Sequence, residues 1–136
     1  MNTVYPFFFG HLHTGFVDLN NDTVRMHAVT TGGANYNFSS GHEFLVDVGP
    51  SNVVSTVDLA ITVDSSGVVD ATDTTFPSAS GSNIGAVAFS INKGTSGTSP
   101  LWLYMDIASG DSAILLTPSG NNIDVIFPQG GIYSLI

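Results

Sequence analysis

Val57-Asp58-Leu59-Ala60-Ile61-Thr62-Val63-Asp64 alternates apolar with polar or small residues along its whole length. Side chains two apart share a face of a strand, so Val57, Leu59, Ile61 and Val63 line one side while Asp58, Ala60, Thr62 and Asp64 line the other. The stretch predicts a half-buried strand with one wet face. Asp64-Ser65-Ser66-Gly67 then supplies turn residues, and Val68–Ala71 returns as a partner strand.

The same pattern extends outward in both directions. Residues 14–19, the turn Asn20-Asn21-Asp22 and residues 23–30 predict another strand pair, with Val24, Met26 and Ala28 on one face. At 85–91, Val87, Phe89 and Ile91 oppose Ala86, Ala88 and Ser90; at 101–107, Leu101, Leu103, Met105 and Ile107 oppose Trp102, Tyr104 and Asp106. Residues 113–117, 122–127 and 131–136 complete the set. Loops are expected at Gly32-Gly33, at 35–41, at 72–83 around Pro77, and at 92–100 with Lys93, Gly94 and Gly97. Residues 42–47, with Phe44, Leu45 and Val46, suit either a helical turn or a short strand. No run of ten or more residues carries a helical period. The expectation is an all-β, single-domain β-sandwich, jelly-roll-like or Ig-like, of about eight or nine short strands with little or no helix. Residues 14–136 form the domain, and residues 1–13 form an N-terminal arm with an aromatic run.

Composition narrows function by exclusion. The chain has 136 residues, of which 43% are hydrophobic and 10% charged; Lys and Arg number 2 against 11 Asp and Glu, a net charge of −9. Ordinary domains carry roughly a quarter charged residues, so Ser, Thr, Asn and Gly must wet this surface. Two cations cannot neutralise a phosphate backbone, and the negative field repels one; no nucleic-acid partner is expected. The absence of cysteine removes thiolate zinc sites, disulfides and thiol catalysis, and fits a reducing compartment. No segment approaches the roughly 18 apolar residues of a membrane helix, so no membrane partner is expected. The opening residues 1–10 lack the basic n-region of a signal peptide, which predicts a mature protein made and kept, or assembled, inside a cell.

Candidate chemistry is sparse. His11 and His13 stand two apart, so on a strand they would share a face and could share a metal if His27, His42 or an Asp supplied a third ligand. The plainer reading is two polar residues near a terminus. His42-Glu43 lacks the second His of a helical zinc motif, since Val46 occupies that place. Asp18-Leu19-Asn20-Asn21-Asp22 is rich in oxygen, yet Thr23 and Val29 replace the Gly and Glu that a calcium loop needs, which leaves a turn. In Gly81-Ser82-Asn83-Ile84-Gly85 the Ser stands one position early for a nucleophile elbow, and Lys93 precedes Gly94 rather than following a phosphate-cradling glycine run. No enzyme, catalytic residue, cofactor or metal is expected.

Aromatic residues are the better lead. Tyr5, Phe7, Phe8 and Phe9, stiffened by Pro6, are either folded into the core or form a docking strip for another chain. Trp102 and Tyr104 belong to a second core layer, a subunit interface or a sugar-stacking platform, the last requiring an exposed Trp102.

Further stretches carry a resemblance. They are 15–29, with Gly15-Phe16-Val17-Asp18-Leu19 and Asp22-Thr23; Ser40-Gly41-His42-Glu43-Phe44-Leu45-Val46-Asp47-Val48; Val69-Asp70-Ala71-Thr72-Asp73-Thr74-Thr75-Phe76; and Ala86-Val87-Ala88-Phe89-Ser90-Ile91. Ser99-Pro100-Leu101-Trp102-Leu103-Tyr104-Met105-Asp106-Ile107 and the ending Gly130-Gly131-Ile132-Tyr133-Ser134-Leu135-Ile136 close the series. In order and spacing the chain resembles a family of small virion structural proteins of tailed bacteriophages. It departs where Gly49-Pro50-Ser51-Asn52-Val53-Val54 replaces a glycine-rich stretch with Tyr, and where the aromatic run replaces a basic, helix-like N-terminus. The resemblance implies a structural role: a capsid decoration (cement) protein on the outside of the shell, assembled in the host cytoplasm. Its implied partners are the major capsid protein or other virion proteins, and further copies of itself as a homo-oligomer. The alternatives are a neck, tail or fibre-base protein and, from another class, a carbohydrate-binding module.

Overall fold

The computed structural model describes residues 2–108, 112–127 and 133–134. In chain order the elements are β1 (Asn2–Val4), α1 (Phe7–His13), β2 (Val24–Val29), 3₁₀ turns at Leu45–Asp47 and Pro50–Asn52, and β3 (Val53–Leu59). There follow β4 (Ile61–Val63), β5 (Val68–Ala71), β6 (Thr74–Phe76), β7 (Ala86–Ile91), β8 (Leu101–Met105), β9 (Ile107–Ala108), β10 (Ser112–Ala113), β11 (Ile123–Val125) and β12 (Tyr133–Ser134). The architecture is all-β: a five-stranded sheet in the order β1-β8-β7-β2-β3, a three-stranded sheet β12-β5-β4, and the pairs β11-β6 and β10-β9.

The deciding stretch forms two strands rather than one. β3 ends at Leu59, opposite Val24 of β2, while Ile61 pairs with Ala71 in another sheet. The side-chain alternation continues across Ala60 while the backbone changes sheets. The expected hairpin is present, with Thr62 opposite Asp70 and Val63 opposite Val69. Asp64 closes it: its carboxylate accepts the backbone N–H of Ser66 and Val68, at 2.9 and 3.0 Å.

Three expectations are corrected. Residues 14–19 contain no strand: Gly15 takes φ +76°, and Val17 N–H reaches back to His11 C=O. Val17 and Leu19 are still buried, because burial follows the apolar pattern even where no neighbouring backbone is available to pair. The loop expected at 72–83 contains β6, whose Thr74–Phe76 pairs with β11. The aromatic arm contains the helix α1, and Asn2–Val4 pairs with Leu103–Met105 at the edge of the main sheet. Pro6 fits a helix start because its fixed φ is already helical. Phe8 is fully buried and Leu12, one turn on, packs against the same cluster, so tertiary packing overrides the strand preference of three Phe in a row. At 42–47 the structure selects a helical turn, Leu45–Asp47.

The two faces of the main sheet carry different cores. Phe8, Met26, Phe89, Ile91, Trp102 and Leu103 cluster with Val69, Ala71 and Phe76 from the small sheets. Tyr5, Val29, Tyr36, Val48, Ala88, Leu101 and Tyr104 form the other cluster. Strict alternation would have put Trp102 with Tyr104. Instead β8 contains a bulge: Ala88 opposes Tyr104 and Ser90 opposes Leu101, leaving Phe89 opposite both Trp102 and Leu103. The extra residue shifts the phase by one, so Trp102 joins Leu103 on one face while Leu101 and Tyr104 share the other.

Candidate functional site

Four of the six aromatic interface candidates are inside the chain. Tyr5, Phe8, Trp102 and Tyr104 are 0%, 0%, 0% and 4% exposed, Phe9 is half-buried, and Phe7 is 46% exposed. Trp102 stacks on Phe8 at 5.8 Å and meets Phe89 edge-on, so its ring is not a sugar-stacking platform. Its indole N–H has no hydrogen-bond partner among the described residues.

On the other face the aromatic groups form a polar chain. Tyr5 and Tyr36 share a hydrogen bond between their hydroxyls at 2.8 Å, and the Tyr36 hydroxyl meets His42 Nδ1 at 2.9 Å. Burial, reinforced by the Tyr36 bond, pushes the Tyr5 hydroxyl far up. Burial and the nearby Asp106 push Tyr104 up to about 12. The three tyrosines are held neutral, and the bonds from Tyr5 through Tyr36 to His42 tie the arm to the loop at 36–42.

The histidines go to separate places. On α1, residues two apart point to different sides, so His11 and His13 do not share a face as they would on a strand. His11 Nε2 meets Glu43 Oε1 at 2.9 Å. His27 is buried in the main sheet between Thr56 Oγ1 (2.8 Å) and Ser90 Oγ (2.7 Å); burial first, and Arg25 second, lower it to about 4. No group of three or more potential metal ligands occurs among the described residues.

The turn at 18–22 is closed by its own carboxylates. Asp22 accepts the Asp18 N–H at 2.8 Å, and Asp18 accepts the Asn20 N–H at 3.0 Å. Lys93 Nζ reaches Asp22 at 2.9 Å and lies 5.0 Å above the Phe16 ring. Burial alone would raise the Asp22 carboxyl, but the Asp18 N–H and Lys93 outweigh it and hold it low. The other cation, Arg25, pairs with Asp58 across β2 and β3 at 3.1 Å.

Contacts with His11 bring the Phe16 and Phe44 rings to α1, and with the exposed Phe7 and Val46 of the same segments they are taken together as an apolar ridge. Phe7 stands one turn before His11 on the same helix face. The His11 ring touches Phe16 at 5.3 Å and Phe44 at 5.5 Å. Phe16 is 42% exposed, and Val46, two residues beyond Phe44, is 49% exposed. Asp47 fixes this edge by accepting the N–H groups of Glu43 and Phe44, at 2.8 and 3.0 Å. The segment then docks on the loop before β8: Leu45 N–H bonds Ser99 C=O, Val46 N–H bonds Ser96 C=O, and Leu101 N–H bonds Glu43 C=O. Of this ridge, the sequence singled out Phe7 alone. Phe16 and Val46 each stand beside other apolar residues, Val17 and Leu45, and nothing in the local pattern marks which of the neighbours stays exposed.

No family model and no curated protein matches the chain. Among the described residues no helix is long and apolar enough to cross a membrane.

Proposed function

We propose that the protein is a structural component of a tailed-phage virion, a decoration subunit on the outside of the capsid. The observation that carries this reading is the assembly of the resembling segments into one unit. The His-Glu-Phe stretch docks on the Ser-Pro-Leu stretch through Leu45, Val46 and Leu101, and Phe44 bridges Pro100. The Asp-Leu-Asn-Asn-Asp turn is tied by Asp22 to Lys93, in the loop that leads there. Short motifs that depend on one another in space are a stronger resemblance than the same motifs scattered.

The sheets are read as a sandwich, since one face of the main sheet is covered by Val69, Ala71 and Phe76 from β5 and β6. The chemistry suits an outer shell. Both cations are paired with carboxylates, so the surplus of negative charge faces neither genome nor anionic surface. Attachment to the major capsid protein then rests on apolar contact, and the ridge of Phe7, Phe16 and Val46 is the face assigned to it. Further copies of the chain complete the shell by symmetry, which requires self-complementary patches rather than an active site.

The test is a copy count and position in purified particles, by mass spectrometry and a particle map. Many symmetric copies on the shell are expected. A handful of copies would move the protein to the neck, tail or fibre base, and absence from particles would end the reading.

A further inference from the structure

A groove of about 540 Å³ opens between the turn after β2 and the segment leading into β7. Its lining is Thr30, Thr31, Asn35, Ser82, Asn83, Gly85 and Leu115. The size is that of a small-ligand site. Its chemistry is unusual for so acidic a chain: among the described residues the lining contains hydroxyls, amides and one apolar side chain, and no ionisable group.

We infer that this groove binds a neutral carbohydrate. Asn35 and Asn83, both exposed, present a donor and an acceptor each, and Ser82 and Thr31 add hydroxyls that donate or accept. Sugar hydroxyls make the same double demand. Leu115, 74% exposed, offers an apolar surface for the C–H face of a pyranose. Thr30 adds a second observation. It is 8% exposed, and its hydroxyl is buried without a hydrogen-bond partner among the described residues. Buried hydroxyls seldom remain unpaired, and this one belongs to a residue of the groove's lining. The floor is fixed by Gly85, where an added Cβ would collide with Thr31 Oγ1. Ile84, next to it, is held by paired backbone bonds to Leu116 at 2.8 and 2.9 Å. With no cation in the lining and a net charge of −9, the site discriminates against anionic sugars. This inference stands apart from the shell reading, because the groove is built from other residues.

The experiment is a titration of ¹⁵N-labelled protein with lactose, maltotriose and chitotriose, with sialyllactose as the anionic comparison. At least one neutral sugar is expected to give saturable amide shifts confined to residues 30–35, 82–85 and 115. The double substitution Asn35→Ala/Asn83→Ala, at exposed positions, is expected to weaken that binding about tenfold or more at unchanged Tm. Gly85→Ala, which closes the floor, is expected to weaken it too. The inference is overturned if no neutral sugar gives saturable shifts, if sialyllactose binds as tightly, or if the double variant binds like the parent.

Discussion

The two faces of the main sheet bury similar numbers of aromatic rings and hold them in different ways. Phe8, Phe89 and Trp102 on one side pack in an apolar cluster and against one another. Tyr5, Tyr36 and Tyr104 on the other side pack around hydroxyls, His42 and, further along the same face, His27. The first face is held by shape and water exclusion, which pH does not alter. The second depends on its tyrosines and His27 remaining uncharged. One sheet therefore combines a pH-insensitive core with a pH-sensitive one.

Removing the largest ring tests the first side. Trp102→Ala is expected to cost about 4 kcal/mol in denaturant unfolding, because the stack with Phe8 and the contact with Phe89 collapse into a cavity. The loss should be equal at pH 5 and pH 8; a pH-dependent loss would mean that the two faces are coupled.

Acid tests the second side. His27 titrates at about 4 when folded against 6.5 when free. Its neutral form thus contributes fully above pH 6.5, and the contribution is lost as pH falls through 4. That difference amounts to about 3 kcal/mol at most. His27→Gln should flatten the stability curve between pH 6.5 and 4; an unchanged slope there would assign the acid sensitivity elsewhere.

A smaller effect is expected from Tyr5→Phe, about 1 kcal/mol for the lost hydroxyl bond to Tyr36. Tyr5, Tyr36 and Tyr104 are all raised above 10 when folded, so they stabilise fully below pH 10 and lose that contribution above it. Tyr5→Phe should reduce the alkaline loss, read from melting temperatures between pH 9 and 11. Smallest of all, Lys93→Ala should cost about 0.5 kcal/mol, since the pair with Asp22 is partly solvated. Added salt should shrink the difference.

Much of the sheet was legible from alternation, as β2, β7 and the β4–β5 hairpin show. What alternation reports is the side of the chain that is buried, and it fails where the backbone departs from simple pairing. At Ala60 the pattern runs on while the strand changes sheets. At 14–19 it marks Val17 and Leu19 correctly with no strand beneath them. At Trp102 a single bulge reverses the face of every residue counted from the wrong side. The α1 helix was hidden because three adjacent Phe read as strand until Trp102 supplies the surface that Phe8 needs. The ridge and the groove join residues distant in sequence, His11 with Phe44 and Asn35 with Asn83, and no local motif announces such meetings.

The pairing of β1 with β8 also sets a timetable. Asn2, Thr3 and Val4 leave the ribosome about a hundred residues ahead of their partners Met105, Tyr104 and Leu103. At roughly 5 to 20 residues per second the arm waits about 5 to 20 seconds for a place to dock. During that interval Tyr5 and Phe8, later sealed from water, are exposed on a nascent chain. The arm is thus made well before the strand that secures it, and the sheet edge it covers is completed only once β8 has emerged.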